Sequence, residues 1–296
     1  RWQVEPKEDV SLIPAKASDA YPDELGFPGL VDSAWRAIAE VNAPELLMAQ
    51  GARERQLGTP VWVADGHGGT RLDIDTARPQ VHYQIGFTRF GAEWLIQVNY
   101  FLLFRTPDAL PGEVPVDGLI WRVTLDNELR PIAYDTARAS GREHFWFAIR
   151  SEVPRRQPAD GPAAFFPLDG LVPAEPSLIL DRTGGVRGVT AADTSVTAQR
   201  YQLARYEDLY RLPLPGGGTR NLFDRTGQIA GTRTPAPEWY AASGVPQPGT
   251  LRHFMRLPVS YLGEQHFDDA YVLEGQRDEH DAGERRRGGR PRSGLS

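Results

Sequence analysis

The chain has 296 residues, 40% of them hydrophobic and 10% aromatic, and a formal net charge of −6. That composition suffices for a buried core, and the acidic balance argues against general affinity for nucleic acid. No apolar run reaches the roughly eighteen residues of a membrane-spanning helix, and the absence of cysteine excludes disulfides, thiolate nucleophiles and cysteine-ligated metal centres.

Residues 1–28 are rich in Pro, Asp and Glu and read as an extended arm. The chain begins with Arg1 rather than Met, as it would after removal of an initiator, signal or anchor. The compartment stays open between cytoplasm and export, and association with a cell envelope is one option. Asp32 and Ser33 can cap a helix with Val31, Ala34, Trp35, Ile38 and Val41 on one face. Residues 45–49 are ambiguous between helix and strand, 60–63 read as a strand, and 65–69 as a glycine-rich loop.

The clearest signal is the block 81–150. Bulky residues recur at period two in 81–90 and 93–104 around Gly91-Ala92, and in 117–125 and 130–135 around Asp126-Asn127-Glu128. This pattern predicts antiparallel hairpins. Trp94, Ile96, Val98 and Tyr100 share one strand face, and Leu95, Gln97, Asn99 and Phe101 the other. The two amides make the second face more polar, so the first is expected to meet Trp121, Val123 and Leu125 in the core, with Phe145 or Phe147 nearby.

Beyond the block, 154–176 contains six prolines and reads as a loop or lid. Residues 178–180 and 186–189 suggest another hairpin, 201–212 fit strand or helix, and 213–218 form a turn. A second proline-rich connection covers 235–248, a last strand 254–262, and a short helix is expected to begin at 266. From 276 to 296 the chain is charged and reads as a disordered tail. The expected fold is mostly β, an antiparallel sheet of long hairpins with a few short helices at its edge. It forms one domain over 29–275, with the proline loops covering one end of the sheet.

Phosphate-binding loops, a nucleophilic serine elbow and a zinc-binding helix motif are missing from the sequence. A Ser140–His144 pair lacks an orienting carboxylate. Of six histidines, His67 and His280 fall in polar, glycine-rich or charged stretches and read as solvated. His82 shares a strand face with Gln84 and Gly86 and reads as a surface or cross-strand residue. His144 follows Glu143 and precedes an aromatic run, and His266 is followed by Asp268 and Asp269. Neutral imidazole beside carboxylates suits a divalent metal ion or a general base. The competing reading makes Asp268 or Asp269 a helix cap. Arg89, Arg105, Arg122, Arg138 and Arg142 read as exposed sheet arginines, with carboxylate or phosphate binding as the alternative.

The order Phe-Thr-Arg-Phe-Gly (87–91), Gln-Val-Asn-Tyr (97–100), Asp-Gly-Leu-Ile-Trp-Arg-Val-Thr-Leu (117–125), Tyr-Asp-Thr (134–136), Leu-Pro-Leu-Pro-Gly-Gly-Gly-Thr-Arg-Asn-Leu-Phe (212–223) and His-Phe-Asp-Asp (266–269) resembles a family of uncharacterised bacterial proteins over roughly 55–275. The resemblance carries no established activity. It implies relatives with a His-Pro-Cys-Gly-Cys-Tyr-His string and two further histidines, a set suited to a metal or redox site. Phe87, Leu257, Arg138, Ser140, Arg142 and Glu143 stand at its other positions here, and His144 and His266 alone match.

Two functions remain. One is a non-catalytic envelope, binding or structural domain whose loops frame a groove. The other is a metal-assisted hydrolase using His144 and His266 with Glu143, Asp268 or Asp269.

Overall fold

The computed structural model describes residues 1–20, 22–24, 26–48, 57–91, 93–105, 114, 116–138, 145–149, 176–180, 186–191, 198–224, 229, 261–262 and 265–267. Ten strands form one large sheet: β1 (Trp2–Val4), β2 (Glu45–Met48), β5 (Gln80–Phe90), β6 (Glu93–Arg105), β7 (Val116–Leu125), β8 (Pro131–Arg138), β9 (Phe145–Ala148), β10 (Pro176–Leu180), β11 (Val186–Ala191) and β12 (Gln199–Arg205). Their order across it is β11-β10-β2-β1-β12-β5-β6-β7-β8-β9. Three two-stranded ladders lie outside this sheet: β3 (Thr59–Ala64) with β4 (Thr70–Asp75), β13 (Leu212–Pro213) with β14 (Thr219–Arg220), and β15 (Tyr261–Leu262) with β16 (Gln265–His266).

The protein is mostly β, as its alternation predicts. The run β5 to β9 is an antiparallel meander, with one register shift in the β7–β8 ladder between Thr124 and Leu125. Its β7–β8 turn closes where the Asp126 carboxylate accepts the N–H groups of Glu128 and Arg130, with Leu129 in the left-handed region at φ 58°.

The sheet as a whole is mixed rather than antiparallel. β1 runs parallel to β12, β12 to β5, and β10 to β2. Parallel neighbours need long crossovers, and alternation within a segment carries no information about a partner two hundred residues away. Residues 2–4, expected in an arm, stand as a strand between β2 and β12. Arg1 adds an ion pair to Glu45 at 2.6 Å.

Helix α1 (Asp32–Val41) packs on one face of the sheet. Its buried residues are Ala34, Ala37, Ile38, Ala39 and Glu40, whereas Val31 and Val41 are exposed. Ala34, Trp35 and Ile38 of the expected face thus meet the core while its end residues do not, the buried stripe extends to Ala37, Ala39 and Glu40, and Asp32 lies inside the helix rather than capping it. The Glu40 carboxylate is satisfied in its buried place, where it accepts the N–H groups of Lys7 and Glu8 and the Arg36 Nε–H. The Tyr100 hydroxyl donates to Ala39 O at 2.7 Å, and the Tyr201 hydroxyl to Pro44 O at 2.6 Å. Both phenols tie the helix and its exit to the sheet.

On this face Ile96, Val98 and Tyr100 meet Trp121, Val123, Leu125, Phe145 and Phe147, as their spacing predicts. Trp121 is 1% exposed and stacks on Tyr134 at 5.1 Å. Trp94, at the strand end, is 40% exposed and lies outside the core. The opposite face is covered as well. Phe101, Leu103, Ile120 and Ala137 pack there against Trp62, Leu72 and Ile74 of the β3–β4 hairpin and against Tyr206, Leu209, Leu222 and Phe223. Residues 201–212 resolve as the end of β12 followed by a 3-10 turn, Tyr206–Arg211.

Candidate functional site

Covering the second face buries its polar residues. Gln84, Asn99, Arg122, Asp135 and Trp146 stand opposite one another on five consecutive strands, forming a single row across the sheet. All five are buried. Arg122 and Asp135 close a bidentate ion pair through Nε–Oδ1 at 2.7 Å and through Nη2–Oδ2. Arg122 also donates to the Phe267 carbonyl at 2.5 Å and lies 3.9 Å from the centre of the Phe267 ring. The expectation of an exposed sheet arginine is thereby overturned for Arg122. Arg138 likewise pairs with Asp117 at 3.0 Å.

The next row joins Ala204, His82, Phe101, Ile120 and Ala137. His82 is 1% exposed, against the expectation of a surface residue. Its Nδ1, together with Gln84 Nε2, Asn99 Oδ1 and Trp146 Nε1, has no hydrogen-bond partner among the described residues. Most buried polar atoms in proteins find one. Burial lowers the His82 imidazole from its ordinary 6.5 to about 4, so the ring is neutral near pH 7.

A groove of about 1280 Å³ opens over this end of the sheet, and His82 is part of its lining. Its walls are β3, residues 73–75 of β4, and the segment 207–215. Two local sequences shape it. In the loop between β3 and β4, the Asp65 carboxylate accepts the N–H groups of His67 and Gly69. In the turn between β13 and β14, Gly217 and Gly218 adopt φ 93° and 79°, a region that glycine enters without steric cost. Trp62 is held beneath the groove by its Nε1–H to Arg220 O and by the Arg220 guanidinium 4.4 Å from its ring.

The sequence-predicted site is only partly in view. Glu143, His144, Asp268 and Asp269 lie outside the described residues, as do Arg142, Leu257 and the proline loops 154–175 and 235–248. His266 belongs to β16, where it pairs with Tyr261, so the expected helix does not begin there. Its neighbour Phe267 is fully buried against Arg122. Among the described residues, no three His, Asp or Glu side chains are grouped to hold a metal ion. No helix among them is long and apolar enough to cross a membrane.

His82 and the groove escaped the sequence reading because a polar strand face reads as solvent-facing until its cover is known. A signal was present, since Gln84 and Asn99 are equidistant from the 91–92 turn and so must face each other.

No family model matches the chain, and no curated protein does. The resemblance to bacterial relatives thus rests on the shared strings alone. A solved structure described as NLPPya in complex with mannosamine is 18% identical, covering 67% of this chain and 81% of that one at a TM-score of 0.33. That likeness is too slight to bear on fold or ligand.

Proposed function

We propose that this protein is a non-catalytic binding domain and that the groove over His82 is its binding site. The observation that carries the reading is an open groove whose lining includes a buried, neutral imidazole with an unpartnered Nδ1. An unpartnered Nδ1 has one hydrogen bond left to give or take. The ring is badly placed for general-base work, because a base with a pKa near 4 is weak at neutral pH. Nor does a carboxylate among the described residues orient its Nδ1. The groove is concave and sets charged side chains beside an apolar stretch of Pro60, Val61, Trp62 and Val63, and ligand sites are typically concave.

The test is a ligand-observed NMR screen of soluble probes, comprising oligosaccharides, nucleotides and short peptides, run on the wild type and on Val61→Trp. Val61 is half-buried and lines the groove, so tryptophan there fills space without opening the core. At least one probe should show saturation transfer that Val61→Trp removes. Equal transfer in both proteins, or none from any probe, sinks the reading.

A second reading has one observation behind it. Phe267 O accepts from Arg122, Arg122 is paired with Asp135, and Asp135 stands opposite Trp146. This chain of contacts supports a site in which the segments bearing His144 and His266 converge, with Glu143, Asp268 and Asp269 as carboxylates and a divalent metal ion assisting hydrolysis. Zinc or manganese titration into chelator-treated protein tests it: binding must occur and must fall in His144→Ala and His266→Ala.

A further inference from the structure

Residues 59 to 64 all line the groove, odd and even positions alike. Alternate residues of a strand point to opposite faces, so the groove follows the backbone edge of β3 at 62–64 and reaches around the hairpin at 59–61, where the paired residues 73–75 of β4 line it as well. Its other edge pairs with β4; the groove-side edge is engaged just before β3, where Gly58 N–H donates to Leu103 O, and over 60–64 no described strand is laddered to it. Two residues set the hydrogen-bond phase. Pro60 has no N–H to give to a ladder, and the N–H of its partner Ile74 donates to the Asp73 carboxylate at 2.8 Å. The 60–74 pair is therefore of the non-hydrogen-bonded kind. Antiparallel alternation then turns the N–H and C=O of Trp62 and Ala64 toward the groove, together with the Pro60 carbonyl.

The charge of the lining is the second observation. It carries the carboxylates of Asp73, Asp75, Glu207 and Asp208 against the guanidiniums of Arg78 and Arg211. Asp73 and Asp75 are already held by Arg71 and Arg78. Glu207 is exposed and has no ion pair among the described residues.

We infer that the groove takes an extended peptide with basic side chains, added as a strand to the open edge of β3. The inference rests on the groove being the binding site. Main-chain hydrogen bonds to Trp62 and Ala64 supply register, and alternate basic side chains reach the carboxylate rim. Pro60 limits the usable edge to its 60–64 stretch, which makes the charges necessary for a measurable complex.

The probe is a fluorescein-labelled peptide of alternating arginine and valine, titrated with the full chain and read by fluorescence anisotropy. Its controls are the same peptide with glutamate for arginine, and a labelled neutral oligosaccharide. The arginine peptide should bind and the glutamate peptide should not. Ala64→Pro removes one outward N–H, a group that gives nothing to the β3–β4 ladder. It should weaken binding by about threefold or more, the worth of one backbone hydrogen bond. Glu207→Arg should weaken it comparably, and the effect should shrink at high salt. Because Ala64→Pro can disturb the strand, N-methylation of alternate peptide residues gives an independent check: one phase should abolish binding and the other should not. Equal binding by both phases, or by the glutamate peptide, overturns strand addition. If the oligosaccharide binds and Val61→Trp blocks it while the arginine peptide stays free, this inference fails and the groove remains a binding site. If no probe binds, both fail.

Discussion

Arg122 and Asp135 face each other on neighbouring strands and form a two-pronged ion pair with side chains 1% and 0% exposed. Desolvating two charges is costly, and removing one leaves the other buried without its counter-charge. Arg122→Met or Asp135→Leu alone is expected to destabilise the fold by about 3–5 kcal/mol, whereas the double substitution should cost markedly less than the sum. Urea denaturation of the three variants checks this, and additive costs would show that the pair is not coupled.

Trp121 lies on the other face, against Tyr134 and Phe147. Trp121→Ala opens a cavity among residues that are themselves fixed in strands, and should cost about 3–5 kcal/mol. A loss below about 1 kcal/mol by urea denaturation would mean that the sheet collapses around the gap.

His82 makes stability depend on pH. Its folded-state value near 4 lies below the ordinary 6.5, so between these values the unfolded chain binds the proton more readily. The contribution of the neutral ring is present above pH 6.5 and is lost as pH falls toward 4. Over that window the loss is on the order of 3 kcal/mol. In His82→Leu this part of the slope should vanish. Unfolding free energies of both proteins at pH 7.5 and 4.5 give the comparison, and parallel slopes would place the titration elsewhere.

The meander was legible because period-two alternation and turn residues act within a few positions, and they predicted the pairing of 81–90 with 93–104 and of 117–125 with 130–135. What escaped depends on partners far along the chain. Trp2–Val4 is a central strand only because 199–201 run beside it. His82, Asn99 and Arg122 are buried only because the β3–β4 hairpin, residues 206–223 and Phe267 cover that face. Polarity on a strand predicted exposure, and distant cover reversed it.

The two chain ends are expected to differ. Deleting residues 1–5 removes β1 with its pairings to β2 and β12 and the Arg1–Glu45 ion pair, and should lower the thermal midpoint by several degrees. Deleting 281–296, a charged stretch almost without hydrophobic residues, should leave it within about a degree or two. Calorimetry on both truncations distinguishes them, and the opposite ranking would refute this assignment of the ends.

Ligand is expected to enter beside β3, over His82. A chemical-shift map tests it most directly: amide and histidine ring signals are followed while a probe that passed the NMR screen is titrated in. The His82 ring and the amides of the non-proline residues among 59–64, 73–75 and 207–215 should shift together and saturably. Saturable shifts confined to residues away from this groove would contradict it.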